Sequence, residues 1–337
     1  MSKTVYITGI AGLMGSNLAK HFVTKGYIVK GCDNMIGGYK DNVPHKYVDY
    51  QELDIFDLDK LKEHMKGSDV VLHTAALAYE GLSVFSPNII TKNIYSGTVS
   101  VATAAIANNV ELFINFSSMA RYGDVIPPFS EDMICKPTDP YGMAKYQAEL
   151  MLNLLNDIHG LKVYHIVPHN IIGPGQRYND PFRNVAAIMI NRLLQNKHLI
   201  IYGDGDQKRS FSDVKDCVEP VFRLVESQRF DSGEVFNIGP DGNEITIKEL
   251  GYVCGRILNK YPHFDYYPDR PREVKNAWCN SNKARTQLNY NPSGNIDITI
   301  GSLASWIQKR GSREFDYHLP LEIEKENTPE TWTKKLI

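Results

Sequence analysis

Tyr141 and Lys145 stand four residues apart at the head of a run, residues 146–152, whose composition is helical. On a helix, side chains at i and i+4 lie one above the other on the same face. An ammonium held beside a phenol favours the phenolate, so the Tyr141 pKa is expected to fall from about 10 towards working pH. A phenol tuned in this way can take and return a proton. Pro140 suits the first turn of that helix, where its missing N–H is not needed. Ser118, just past the apolar run Leu112–Phe116, places a hydroxyl at the mouth of the same sheet, able to hydrogen-bond the oxygen that Tyr141 deprotonates. A Tyr–Lys pair alone is a common accident of sequence, and its weight comes from the elements around it.

Those elements begin at the N-terminus. The β-rich run Thr4–Thr8 passes into a turn carrying Gly9, Gly12 and Gly15, and residues 16–23 then read as an amphipathic helix. A strand, a glycine-punctuated turn and a helix N-terminus make a phosphate cradle. The glycines permit close backbone approach, and the free amides of the turn, Leu13 and Met14 included, favour an anion. Residues 27–32 form a second strand, and Asp33 ends it. A carboxylate there accepts both ribose hydroxyls and repels a 2′-phosphate. No Arg is nearby in sequence, so NAD is favoured over NADP. Further strands are expected at 53–55, 70–76, 112–116 and 162–167, the last of these closing the parallel set. Asp57 caps a helix over Leu58–Met65, and one long helix covers 88–108 and contains Asn93. The small residues Ala75, Ala76 and Ala78 would let a flat cofactor lie against backbone. Strands alternating with helices imply an α/β fold with a doubly wound, Rossmann-like parallel sheet.

The rest of the composition excludes several classes. A net charge of −2 and a pI near 6.6 offer no electrostatic reason for nucleic acid or an anionic membrane. Cys32, Cys135, Cys217, Cys254 and Cys279 are scattered without ligand spacing, so neither a disulfide framework nor a metal site is expected. No apolar run approaches the roughly 20 residues of a membrane span, and the start MSKTVYITG carries no targeting pattern. A reducing cytoplasm fits. At 337 residues the chain is long for one core. The expected division is an NAD-binding domain over 1–167 with a return around 211–238, a smaller α+β substrate lobe over 168–310, and an ordered extension over 311–337. In that extension Thr328 is expected to cap a short helix with Pro329 at its first position, and the segment to pack as a strap on its own domain.

The glycine turn with Asp33, Ser117-Ser118 followed by Tyr122-Gly123-Asp124, and Tyr141-Gly142-Met143-Ala144-Lys145 together resemble the extended short-chain dehydrogenase/reductase family, closest to its nucleotide-sugar epimerases and dehydratases. The likeness runs over about residues 3–310. His169-Asn170-Ile171-Ile172-Gly173-Pro174 is similar to the family's turn whose Asn, here Asn170, contacts the substrate diphosphate. The segment 203–211 resembles one whose Arg, here Arg209, binds that diphosphate, and 269–274 resembles the motif carrying Arg270. Guanidinium forks in such loops can clamp a diphosphate bidentately. Asn184 resembles a substrate-contacting Asn at a helix start. Asn34, Asp54, Ile55, Asn93 and Pro168 complete the cofactor surface, together with Tyr141 and Lys145.

The resemblance implies an enzyme in which Tyr141 removes the proton of a sugar C4 hydroxyl as C4 passes a hydride to NAD. Ser118 steadies the developing carbonyl, and Lys145 holds the ribose. From the 4-keto sugar, epimerisation, 4,6-dehydration and release as ketone all branch. The family's dehydratases carry an Asp-Glu pair where this chain has Met119-Ala120, which cannot transfer protons. The epimerase is therefore the reading reached, with a dehydratase or other 4-keto-forming enzyme as the alternative and a non-catalytic NAD-binding regulator as the reading from another class. Counting from Arg270, the residue facing the sugar's 2-position is Ala277, small enough to admit an N-acetyl group; a register one residue later would place Trp278 there. Ala78 replaces a Lys found in some epimerases, and Pro168-His169 an aromatic pair. The nucleotide is left open. A homodimer through the helices near 93–108 and 141–159 is implied.

Overall fold

Alternation of apolar strands with amphipathic helices dictates the architecture, because each parallel strand must be covered on both faces. The computed structural model describes residues 2–337. Seven strands, β1 Thr4–Thr8, β2 Ile28–Asp33, β3 Val48–Glu52, β4 Val70–His73, β5 Leu112–Phe116, β6 Lys162–Pro168 and β7 Val235–Ile238, form one parallel sheet in the order β7-β6-β5-β4-β1-β2-β3. Every residue of β1, β4 and β5 is buried. One face packs against Leu18, Phe22, Val221 and Leu224, the other against Leu61, Val101, Ala105 and Leu152. The strand order reverses between β1 and β4, and this opens a crevice at their carboxyl ends.

Several elements differ from the sequence reading. The third strand ends at Glu52, not at 53–55: the Asp54 carboxylate accepts from the Phe56 amide at 2.9 Å and from Asn34 Nδ2 at 2.8 Å, a local turn that competes with the ladder. β4 stops at His73, and residues 74–78 leave the sheet. The 88–108 helix is present but interrupted, with Pro87–Thr91 and Gly97–Ala107 joined by a π-helical turn, Lys92–Ser96. That turn carries Asn93, whose Oδ1 accepts from the Leu77 amide at 2.8 Å. The sheet closes on β7 rather than on β6, because the chain returns through the helix Val214–Ser227 to add a last strand.

The remaining chain forms a smaller α+β lobe. Two-residue strands Lys208–Arg209, Ile245–Thr246 and Asn276–Ala277 make one small sheet, and Leu199–Tyr202 pairs with Phe264–Tyr267 in another. Their core includes Ile190, Leu199, Ile201, Leu250 and Ile300.

The terminal strap does not stay on one half. Its Glu322 carboxylate accepts from the Asn88 and Ile89 amides at 2.8 and 3.1 Å, an anion on the N-terminus of the helix at Pro87. Its far end supplies the Leu336 carbonyl to Arg192 Nη1 at 2.9 Å in the lobe. Pro329, not Thr328, is the N-cap of the helix Glu330–Thr333, and the Thr328 hydroxyl accepts instead from the Lys325 amide. Trp332 is 3% exposed and meets Phe85 and Phe182 edge-on at 5.8 and 5.3 Å. Removing so large a buried side chain leaves a cavity as well as a lost transfer term. Trp332→Ala is expected to lower unfolding free energy by about 3–5 kcal/mol in urea titration.

Candidate active site

The β1 turn is built for close approach. Gly9 has φ of +69°, and a Cβ there would sit 2.7 Å from the backbone of Ala75. A Cβ on Gly15 would lie 2.3 Å from the Gly9 carbonyl oxygen. Gly12 caps the helix Leu13–Thr24 with no side-chain hydrogen bond, so its first amides are bare. At the end of β2, Asp33 is buried, and its two oxygens accept from the Ala11 and Met35 amides, at 2.9 and 2.8 Å. Burial raises its pKa, while those amides and the Arg183 guanidinium pull it down.

One continuous cavity runs from this turn to the helix that carries Tyr141 and Lys145. Its wall includes Gly9, Gly12, Leu13, Met14 and Gly15, then Asp33, Asn34 and Ile55, then Ala75, Ala76, Ala78 and Asn93, and finally Ser118, Tyr141, Lys145, Pro168, Asn170 and Asn184. Asp54 is not part of the wall; it anchors Asn34 from behind. A smaller adjoining cavity is lined by Met119, Ala120, Arg209 and Ala277. Ala277, not Trp278, faces that space.

The long helix Pro140–His159 starts on an Asp139 cap, whose carboxylate accepts from the Gly142 amide at 2.9 Å. Tyr141 and Lys145 project from one face, with Nζ 5.9 Å from the centre of the phenol ring. Lys145 Nζ donates to the Phe116 carbonyl at 2.6 Å, which ties the helix to the end of β5. Burial lowers its pKa to about 8, against the upward pull of Glu149. Ser118 Oγ accepts from the Ala120 amide at 3.2 Å. Tyr141 departs from the sequence reading. Burial holds its phenol well above the ordinary value; Ser118 and Arg183 lower it, and Glu80 and Asp139 raise it. Lys145 donates elsewhere, so desolvation outweighs the cation that spacing alone brought near.

The two arginines of the lobe meet, but around a carboxylate. Glu273 accepts from Arg270 Nε at 2.9 Å and from Arg209 Nη2 at 3.2 Å. Arg209 also donates to the Lys208, Val274 and Lys275 carbonyls, and Arg270 stacks over Tyr202 at 4.7 Å and Trp332 at 5.9 Å. Arg270 lines neither cavity. Asn184 caps the helix Val185–Leu194, and Asn170, at φ of +41°, donates to the Ser210 carbonyl at 3.0 Å.

A profile of the NAD dependent epimerase/dehydratase family matches residues 5–239. The chain belongs to that family. This epimerase/dehydratase chain is 28% identical over 296 residues to a UDP-glucose 4-epimerase of Mycolicibacterium smegmatis, spanning 85% of this chain and 92% of that one. Among solved structures it resembles UDP-glucose 4-epimerase of Thermotoga maritima with UDP-glucose, at TM-score 0.84 and 28% identity, covering 91% of this chain and 99% of that. It also resembles UDP-glucuronic acid 4-epimerase of Bacillus cereus in complex with UDP-glucuronic acid and NAD, at TM-score 0.84 and 25% identity, with 91% and 99% covered.

Sequence reading missed Glu80, Gln176, Arg177 and Arg183, which also line the main cavity. Arg183 corrects the inference that no arginine lies near Asp33. It reaches the wall across the fold, its guanidinium 4.6 Å from the Tyr79 ring and its Nε 3.8 Å from Asp180 Oδ2. Its adjacency to Asn184 was the available signal. Among the described residues no group of metal-ligating side chains is present, and no helix is long and apolar enough to cross a membrane. Because Glu149 lifts the Lys145 pKa, Glu149→Gln is expected to move the Lys145 midpoint below about 8 in a side-chain NMR titration; an unchanged midpoint would refute that coupling.

Proposed function

We propose that the chain is an NAD-dependent UDP-sugar 4-epimerase, acting on UDP-glucose and UDP-galactose or on UDP-N-acetylglucosamine and UDP-N-acetylgalactosamine through a transient 4-keto sugar. One observation carries this reading: Ser118, Tyr141 and Lys145 line the same cavity as the glycine turn and Asp33. The residues fit the cofactor. Bare helix amides and a turn that tolerates no Cβ suit a pyrophosphate, and Asp33 keeps acceptor capacity for ribose hydroxyls beyond its two amides. When bound, NAD supplies reversible hydride acceptance at the sugar's C4.

The chain's own residues do the rest. As the phenolate, the Tyr141 oxygen takes the C4 hydroxyl proton and gives it back after the sugar has turned over; because burial disfavours that form, it depends on the cations beside it. Ser118 donates to the oxygen that becomes the carbonyl, and Lys145 holds a ribose hydroxyl. Charges near Tyr141 are weakly screened because the phenol is buried, so each cation beside it counts for more than it would in water. Asn170, Asn184 and Arg209 hold the diphosphate from the cavity walls; Arg270, which lines neither cavity, joins them by exchanging its hold on Glu273 for phosphate oxygens. Ala277 leaves room at the sugar's 2-position. Met119 and Ala120 offer no proton donor beside Ser118, which favours epimerisation over 4,6-dehydration.

A homodimer is part of the proposal. Met143, Leu150, Leu154 and Ile158 lie exposed along the catalytic helix, a stripe that a second copy would cover.

Purified protein given UDP-glucose or UDP-N-acetylglucosamine without added NAD is expected to form the C4 epimer, seen by NMR. An unchanged sugar beside bound NAD would point to a regulator, and a 6-deoxy-4-keto product to a dehydratase. Tyr141→Phe is expected to reduce kcat by roughly 100-fold to 10,000-fold while UDP-sugar still binds. Asp33→Ala is expected to weaken NAD binding on the order of tenfold to a hundredfold in calorimetry, since a charged hydrogen-bond acceptor is lost.

A further inference from the structure

Glu80 is a titratable side chain in the cavity wall that the catalytic reading leaves unused. It opens the helical turn Glu80–Ser83, immediately beyond the small residues 75–78. The turn is fixed: Ser83 Oγ donates to the Glu80 carbonyl at 2.6 Å, and Gly81 is packed so closely that a Cβ would lie 3.2 Å from Arg270 Nη1 and 3.6 Å from the Trp332 ring. The Glu80 side chain lines the main cavity beside Ser118 and Tyr141, and also the smaller cavity beside Ala120, Arg209 and Ala277. It therefore stands where the two spaces meet, between the reacting phenol and the diphosphate arginines.

Among the described residues, none makes a hydrogen bond or ion pair with its carboxylate. Burial pushes its pKa up to about 7; Asp139 and Glu273 push the same way, Arg209 and Arg270 oppose them, and no hydrogen bond is among the influences. Both arginines are already engaged by Glu273. Glu80, Asp139 and Glu273 thus set three carboxyls against two guanidiniums, before any diphosphate arrives. A half-buried acceptor facing a cavity asks for a donor from the ligand, and above a pH of about 7, where Glu80 is ionised, a second anion brought to the same place is repelled with little screening.

We propose that Glu80 selects the sugar: its carboxyl accepts from a hydroxyl or amide N–H of a neutral hexose or N-acetylhexosamine, and it turns away UDP-sugars whose ring bears a carboxylate. This rests on the UDP-sugar reading above and narrows it by substrate class. Discrimination of this kind uses a repulsive element rather than added attraction. It would separate the chain from its structural relative complexed with UDP-glucuronic acid.

The test is calorimetric affinity for UDP, UDP-glucose and UDP-glucuronate, measured at a pH well above 7 so that Glu80 is ionised, in the wild-type protein and in Glu80→Gln, which keeps the shape and loses the charge. Wild type is expected to bind UDP-glucose at least about tenfold tighter than UDP-glucuronate, and the variant to narrow that ratio by about tenfold, mainly by gaining the uronate. Affinity for UDP alone, which has no sugar, reports any effect of Glu80→Gln on the diphosphate arginines and divides out of the ratio, while an unchanged urea unfolding midpoint reports an intact fold. Equal wild-type affinity for the two sugars, or a ratio that Glu80→Gln leaves unchanged, would overturn the proposal. Binding without turnover of either sugar would count against the epimerase and not against Glu80, whose evidence is the ratio.

Discussion

Burial acts on Tyr141 and Lys145 in opposite senses. Desolvation disfavours the charged form of each, raising the phenol and lowering the amine, so the pair by itself drifts towards neutrality. The surrounding groups pull both ways. Glu149 sustains the ammonium, Ser118 and Arg183 lower the phenol, and Glu80 and Asp139 raise it. A buried acid–base pair balanced by surrounding charges is sensitive to any ion brought alongside.

Positions in the fold follow from the sheet's reversal. Where β1 and β4 diverge, the ends of β1, β2, β4 and β5 deliver the glycine turn, Asp33, the alanines and Ser118 to one rim. Tyr141 and Lys145 reach that rim because Asp139 and Pro140 start the long helix beside it, and because Lys145 is tied to the carbonyl at the end of β5. The π turn at Lys92–Ser96 serves the same rim, since Asn93 holds the backbone of Leu77.

Cross-links tie the second half to the first. The strap of residues 311–337 caps the helix at Pro87, packs Trp332 against Phe85 and Phe182, and ends on Arg192. Arg270 stacks on Tyr202 and on Trp332, so the residue proposed to hold diphosphate is itself held by the strap. One indole thus meets both Arg270 and the turn at Gly81.

The sequence by itself determined the parts written in local pattern: the strand–turn–helix at Gly9 to Gly15, the acid at Asp33, the Tyr141–Lys145 spacing, the Asp57 cap and the parallel strands. Each depends on neighbours a few residues apart, where periodicity and turn chemistry are legible. Tertiary structure decided what depends on approach across the fold. It added β7 to the sheet, brought Arg183 towards Asp33, joined Arg209 and Arg270 around Glu273, and set Glu80 between two cavities. It also reversed the expected direction of the Tyr141 shift. Spacing along a helix reports which groups are near one another, whereas a pKa depends on how much water has been taken away from them, and that is a property of the packed molecule.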